Sequence, residues 1–208
     1  METVVVVVGG GVPGVDTVVV ADYVIAADSG LDQALSLGLP VDLVVGDLDS
    51  VSPDALATAR SSGVPVEAYP AEKDETDLEL ALGRALELGA SEVVVLGGAG
   101  GRFDHVLANA LVLASDRYAE VRVSAVYGAA RVFVVRDHVV LEGEPGDLVT
   151  LLAVNGVASG VTTEGLLYPL HDFDLVPATS RGVSNQFVTP TATVSLRAGV
   201  LLAILPHG

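Results

Sequence analysis

Two aspartates, Asp47 and Asp49, close the apolar run in VDLVVGDLDS, residues 41–50, with a single residue between them. Val41-Asp42-Leu43-Val44-Val45 reads as a strand and Gly46 breaks it, so both acids fall where a buried strand leaves its sheet. Residues two apart in extended chain lie about 6.6 Å apart on one face. At an effective dielectric of about 20, two carboxylates roughly 6 Å apart repel by about 3 kcal/mol. One aspartate at such a point is explained by turn chemistry, its carboxylate accepting from nearby backbone amides. Two on one face point to a cation. The carboxyl ends of strands line the ligand crevice of open α/β sheets, and magnesium takes one or two carboxylates, keeps waters and completes its shell with phosphate oxygens.

A second cluster is EKDETDLELAL, residues 72–82. Thr76 with Glu79 fits a capping box, and Asp77 in the first turn suits the helix dipole. Neither role accounts for Lys73 beside Asp74, because Lys73 is the only lysine in the chain. Its ammonium either holds a phosphate or pairs with Asp74.

The third is LGGAGGRFDHVLANAL, residues 96–111, in which a strand runs through Gly97, Gly98, Gly100 and Gly101 straight into a helix. Glycines there let a ligand approach the backbone, and a helix N-terminus favours an anion. The spacing puts Arg102, His105 and Asn109 on a polar stripe. Phe103, Val106, Leu107, Ala110, Leu111 and Ala114 form an apolar stripe expected to face the core. A tight turn followed by solvated polar residues is the plainer alternative. Gly9, Gly11 and Gly14 spell G-x-G-x-x-G, but Pro13 interrupts it and too little chain follows for a crossover helix, which argues against a dinucleotide site. No G-x-x-x-x-G-K-[ST] is present, so ordinary P-loop binding is absent.

These groups need a scaffold, and the first half supplies an alternating one. Strands are expected at Val4–Val8, Val24–Ala27, Leu43–Val45, Val64–Tyr69 and Glu92–Leu96. Helices are expected at Leu31–Leu37, from Ser52-Pro53, over Thr76–Leu88, and from Phe103 onward. This pattern predicts α/β architecture, a Rossmann-like parallel sheet covered on both faces, over residues 1–125. From 126 to 208 the runs Arg131–Leu141, Asp147–Val154, Val161–Leu167 and Thr191–Leu205, separated by Gly, Pro and Asn turns, predict an all-β antiparallel sandwich.

Composition narrows the function. With 50% apolar and 18% charged residues, the chain is a folded one. A formal charge of −17 repels nucleic acid and anionic membrane. A polyanionic ligand therefore needs local arginines or a bridging divalent cation. No cysteine is present, which removes disulfides and thiolate metal sites, and no signal peptide or membrane span is evident. A soluble cytoplasmic protein is expected.

In their order these clusters resemble the thiamine pyrophosphokinase family. The matching stretches are AADSG (26–30), VDLVVGDLDS, KDETDLELAL, GGAGGRFDHVLANAL, TTEGLLYPL (162–170) and GVSNQF (182–187), spread over most of the chain. The resemblance implies an α/β catalytic domain, a thiamine-binding and dimerising β-sandwich, and transfer of the terminal diphosphate of ATP to thiamine. It implies magnesium on Asp47, Asp49 and Asp77, with Asp74 as a further catalytic carboxylate. It puts Asp28, Ser29, Lys73, Thr76, Gly100, Arg102, Asp104 and His105 on the ATP side, and Ser184, Asn185 and Tyr168 near thiamine. It also implies a homodimer with a cleft shared between subunits. One departure stands out: some members stack a tryptophan on the aminopyrimidine, and this chain has none, leaving Tyr168 and Phe187 as the aromatics best placed by motif. Pyrophosphate transfer to another alcohol, such as a hydroxymethyl pterin, and a non-catalytic thiamine or nucleotide sensor are the alternatives.

Overall fold

Val4–Val8 are β-branched throughout and buried, so this segment fits only a sheet interior covered on both faces. The computed structural model describes residues 2–11, 20–100 and 102–207. In it these valines form β1 (Thr3–Val8), followed by β2 (Tyr23–Ala27), α1 (Gly30–Ser36), β3 (Leu43–Gly46), α2 (Pro53–Ser61), β4 (Val66–Ala68), α3 (Asp77–Glu87), β5 (Glu92–Leu96), α4 (Phe103–Leu113) and β6 (Arg122–Tyr127). The strands pair in parallel in the order β4-β3-β2-β1-β5-β6, with Val6 opposite both Ile25 and Val95. The winding direction therefore reverses between β1 and β5. Crevices open at the carboxyl ends of strands at such a reversal. Pro13 and Gly14 of the glycine fingerprint, and Gly101, lie outside the described residues.

Local signals set the helix starts. Ser52 accepts from the Ala55 amide at 3.2 Å ahead of Pro53, and Thr76 and Glu79 form the reciprocal capping box. Gly30 begins α1 because nothing larger fits: a Cβ there would sit 2.0 Å from the Val7 carbonyl oxygen. Two expectations fail here. β6 is a sixth parallel strand where the sequence reading ends its alternation. The apolar stripe of α4 faces a core only in part: Val106 and Ala110 are half-buried and Ala114 is buried, but Phe103, Leu107 and Leu111 are 77%, 49% and 44% exposed.

The chain divides into two compact units, Met1–Val112 with Glu120–Gly128, and Leu113–Ala119 with Ala129–Gly208. The second carries β7 (Ala130–Val135), β8 (His138–Glu142), β9 (Leu148–Glu164), β10 (Phe173–Leu175), β11 (Asn185–Gln186), β12 (Thr191–Ser195) and β13 (Ala198–Leu205). Its strands run antiparallel in the order β7-β13-β9-β12-β8, with β10 and β11 also on β9. Leu141, Leu151, Val161, Phe187 and Leu201 are buried at its core. The expected runs are cut differently. Arg131–Leu141 and Thr191–Leu205 each hold two strands, whereas the Asn and Gly signals inside β9 bend the strand without ending it, at positive φ for Asn155, Gly156 and Gly160. No described helix is long and apolar enough to cross a membrane.

Gly30→Ala tests the packing that fixes the end of β2. The added methyl is expected to force α1 off β1 and cost about 2 kcal/mol or more, read as a lower urea midpoint at unchanged m. A wild-type midpoint would show that α1 is not seated so closely.

Candidate functional site

Parallel pairing of β2 with β3 brings two acidic turns side by side. Beyond β2 the chain enters Asp28 at φ 47, where its amide donates to the Val45 carbonyl at 2.8 Å. Beyond β3 it passes Gly46 at φ 140 and Leu48 at φ 66. Leucine is a costly residue in that region, so the turn is held by its surroundings. The Asp49 amide donates to Asp47 Oδ1 at 3.2 Å, and Ser50 Oγ donates to Asp49 Oδ1 at 2.8 Å. The two aspartates are therefore not spaced as in extended chain: the left-handed Leu48 folds them together. One carboxylate oxygen from each of Asp28, Asp47 and Asp49 lies within 4.8 Å of the others.

Asp77, at the start of α3, borders the same spot. A Cβ on Gly46 would meet Asp77 Oδ1 at 3.1 Å and Asp28 Cβ at 3.2 Å, so this glycine makes room between the two acids. Lys73 lies 3.0 Å from Asp77 Oδ1 and 3.4 Å from Asp47 Oδ2. Its partners are thus these two and not the adjacent Asp74, which is exposed. Burial opposes the Lys73 charge, but the bond to Asp77 and the attraction of Asp77 and Asp47 outweigh it and raise its pKa. Asp47 is held below the usual carboxylate range by the Asp49 amide first and by Lys73 second. Asp28 is pushed up by burial, with Asp77 and Asp47 adding repulsion. Its Oδ1 is buried and finds no hydrogen-bond partner among the described residues. Hard oxygen donors converging around such an atom suit magnesium and offer nothing to a soft metal.

Beside the acids, the two glycine turns meet at the reversal of the sheet. The Gly98 amide donates to the Gly9 carbonyl at 3.0 Å and the Gly100 amide to the Gly10 carbonyl at 2.5 Å. Cβ atoms on Gly10 or Gly100 would meet the opposite backbone at about 3 Å, so both turns need glycine. Gln33 of α1, 9% exposed, donates from Nε2 to the Gly11 carbonyl at 2.6 Å and braces the arrangement. Sequence reasoning missed Gln33 and the meeting of the two glycine turns; the glycine clusters after two apolar strands were the available signal.

The remaining residues fall in different settings. Ser29 packs against Gly9, and the Thr76 hydroxyl is engaged as the α3 cap. Arg102, Asp104 and His105 are exposed, with Arg102 Nε 3.1 Å from Asp104 Oδ1, a bond that lowers the Asp104 pKa. Asn109 lies half-buried by Gly98. In the second unit Asn185 is 4% exposed and its amide is taken up by backbone. Oδ1 accepts from Tyr168 N at 3.0 Å and Gln186 N at 2.9 Å, while Nδ2 donates to Tyr168 O at 2.8 Å. Asn185 thereby holds Tyr168, a residue 65% exposed. Ser184 is exposed at φ 56, its amide donating to Thr150 Oγ1 at 3.1 Å. Phe187, expected as an alternative aromatic platform, is a core residue only 1% exposed.

Comparison with known proteins shows the family and the fold. The family model "Thiamin pyrophosphokinase, catalytic domain" matches residues 16–125, and "Thiamin pyrophosphokinase, vitamin B1 binding domain" matches residues 137–201. A thiamine pyrophosphokinase of Bacillus subtilis strain 168 is 26% identical over 183 residues, 86% of this chain and 85% of that protein. The crystal structure of a Bacillus subtilis thiamine pyrophosphokinase superposes with a TM-score of 0.84 at 23% identity over 99% of each chain, a likeness of fold. That of an Enterococcus faecalis thiamin pyrophosphokinase family protein gives a TM-score of 0.80 at 26% identity over 98% of each chain.

Asp28 yields a pH-dependent expectation. Its folded pKa is raised, so its ionised form opposes folding at neutral pH, and that cost disappears as pH falls through the raised value. Asparagine keeps the shape and tolerates positive φ. Asp28→Asn is expected to stabilise the metal-free chain by about 1 kcal/mol at pH 7, with the gain vanishing below the ordinary carboxylate value of 3.8. Urea midpoints at the two pH values check this, and a lower midpoint for the variant at pH 7 would contradict it.

Proposed function

The chain belongs to the thiamine pyrophosphokinase family, and from that premise we propose how its own residues carry the reaction. ATP gives its terminal diphosphate to the hydroxyl of thiamine, yielding thiamine diphosphate and AMP. The observation that carries the reading is the convergence of Asp28, Asp47 and Asp49 within 4.8 Å beside glycine turns at the reversal of the sheet. Asp47 and Asp49 hold magnesium, with Asp28 and Asp77 on either side of Gly46 completing the acidic wall. Bound there, magnesium neutralises phosphate charge and lets a polyanion enter a chain of formal charge −17.

The glycine backbones at Gly10 and Gly100 admit the polyphosphate closely, and Ser29, Thr76, Arg102, Asp104 and His105 border the nucleotide. The thiamine oxygen bonds to the β-phosphorus as the bond from that phosphorus to the α,β-bridging oxygen breaks. The electron pair leaves with AMP, and a carboxylate among Asp47, Asp49, Asp74 and Asp77 takes the hydroxyl proton. Thiamine carries a positive thiazolium, which an acidic wall attracts and an aromatic face stabilises. Tyr168, held by Asn185 in a chain without tryptophan, offers such a face in the second unit, and Ser184 precedes Asn185 in the sequence. The exposed stripe of Phe103, Leu107 and Leu111 supports a homodimer with the cleft shared between subunits. Work in the cytoplasm fits a chain without cysteine.

Incubation with ATP, magnesium and single acceptors tests the reading. AMP is expected with thiamine and not with hydroxymethyl pterin, and Asp49→Asn is expected to lower kcat about 100-fold or more with an unchanged far-UV spectrum. AMP with the pterin alone would reassign the acceptor. Binding of thiamine and ATP with no AMP would make the chain a sensor.

A further inference from the structure

We propose that Lys73 is a stand-in cation: in the ligand-free chain it occupies the acidic site from the Asp47–Asp77 side, and it gives up Asp47 when a divalent cation binds. The inference rests on the reading of Asp47 as part of the magnesium site. Three observations carry it. Lys73 is the only lysine among 208 residues. Its side chain is drawn down to 14% exposure, a depth an ammonium takes only when carboxylates compensate it. Its Nζ touches Asp77 at 3.0 Å and Asp47 at 3.4 Å, and Asp47 also belongs to the three-acid group with Asp28 and Asp49.

One carboxylate is therefore shared by an internal cation and an external site. An ammonium and a divalent ion on the same carboxylate would be close like charges in a half-buried setting, where repulsion is strong. Charge counting limits how far it moves. Asp28, Asp47, Asp49 and Asp77 bring four negative charges, Lys73 offsets one, and the remainder exceeds what a divalent ion offsets. The ammonium has no reason to leave the site altogether, but it has every reason to leave Asp47. The lysine stem is long and rotatable, unlike the planar fork of an arginine, so the charge can move without the backbone. Asp77 lies four residues along the chain from Lys73 and serves as its pivot. Released from Asp47, the ammonium is free for the phosphate oxygens that the nucleotide brings. Metal loading and nucleotide loading are thereby coupled through a single side chain.

Because the lysine is unique, protein grown on lysine carrying 13C at the ε-carbon gives one ε-methylene signal. Magnesium alone is titrated into the full chain, with binding followed in parallel by calorimetry. The expected result is that the signal narrows and moves part of the way toward the position of a solvent-exposed lysine, with the calorimetric midpoint, and broadens again when a non-hydrolysable ATP analogue is added. Lys73→Met is expected to bind magnesium at least threefold more tightly than wild type. A signal that stays in place while calorimetry reports bound magnesium overturns the inference and leaves the metal site standing. Absence of magnesium binding to wild type and to Lys73→Met overturns the metal-site reading, and the inference falls with it.

Discussion

Four carboxylates from two strand ends and one helix start converge in a chain that already carries 27 acidic and 10 basic side chains, and Lys73 is the cation placed among them. Nothing in hydrophobic packing asks for this. Asp28 is pushed toward its neutral form by burial and by its neighbours, while Asp47 is kept ionised by an amide and an ammonium. Adjacent acids in unlike environments are the mark of a site arranged for a charged ligand. The rest of the first unit answers to that constraint. The valine-rich β1 supplies rigidity, Gly30 seats α1 so that Asp28 stands where β2 ends, and Leu48 accepts an unfavourable backbone so that Asp47 and Asp49 face one point.

The proposed reading asks for neutralisation and close approach of a phosphate-bearing ligand, and the sheet sets acids and bare glycine turns side by side. Reversal of strand order between β1 and β5 opens the crevice, and glycines keep its walls bare of side chains. Gln33 links α1 to Gly11 and ties the acidic side to the glycine side through one short helix. In the second unit the same economy appears around Asn185, a buried amide whose three bonds to backbone hold an exposed tyrosine in place.

Much of this was legible in the sequence where the signal is local. Strand cores of consecutive valines, the Ser52-Pro53 start, the Thr76–Glu79 box and the Asp47–Asp49 pair are all set by residues within a few positions of one another. What escaped was set by contacts across the chain. Asp28 joins the acids only because Ala27 pairs with Val45 in parallel register. Lys73 chooses Asp47 and Asp77 over its neighbour Asp74 because tertiary folding brings those carboxylates within reach. The helical period of α4 correctly identifies an apolar face but cannot say what that face meets, and on this chain Phe103, Leu107 and Leu111 are left uncovered. Asn155 and Gly156 carry turn chemistry, yet pairing of β9 with β13 on one side and with β10 and β12 farther along carries the strand through them. Phe187 looked available by motif position and is buried because its bridge to Leu166 sets both in the core of the second unit.

The central claim is that a divalent cation sits between these acids and a triphosphate. Crystals soaked with manganese and a non-hydrolysable ATP analogue test it most directly. The account predicts an anomalous peak bonded to carboxylate oxygens of Asp47 and Asp49 and to phosphate oxygens of the analogue, with the polyphosphate against Gly10 and Gly100. A triphosphate lodged elsewhere, with no peak among the acids, would contradict it.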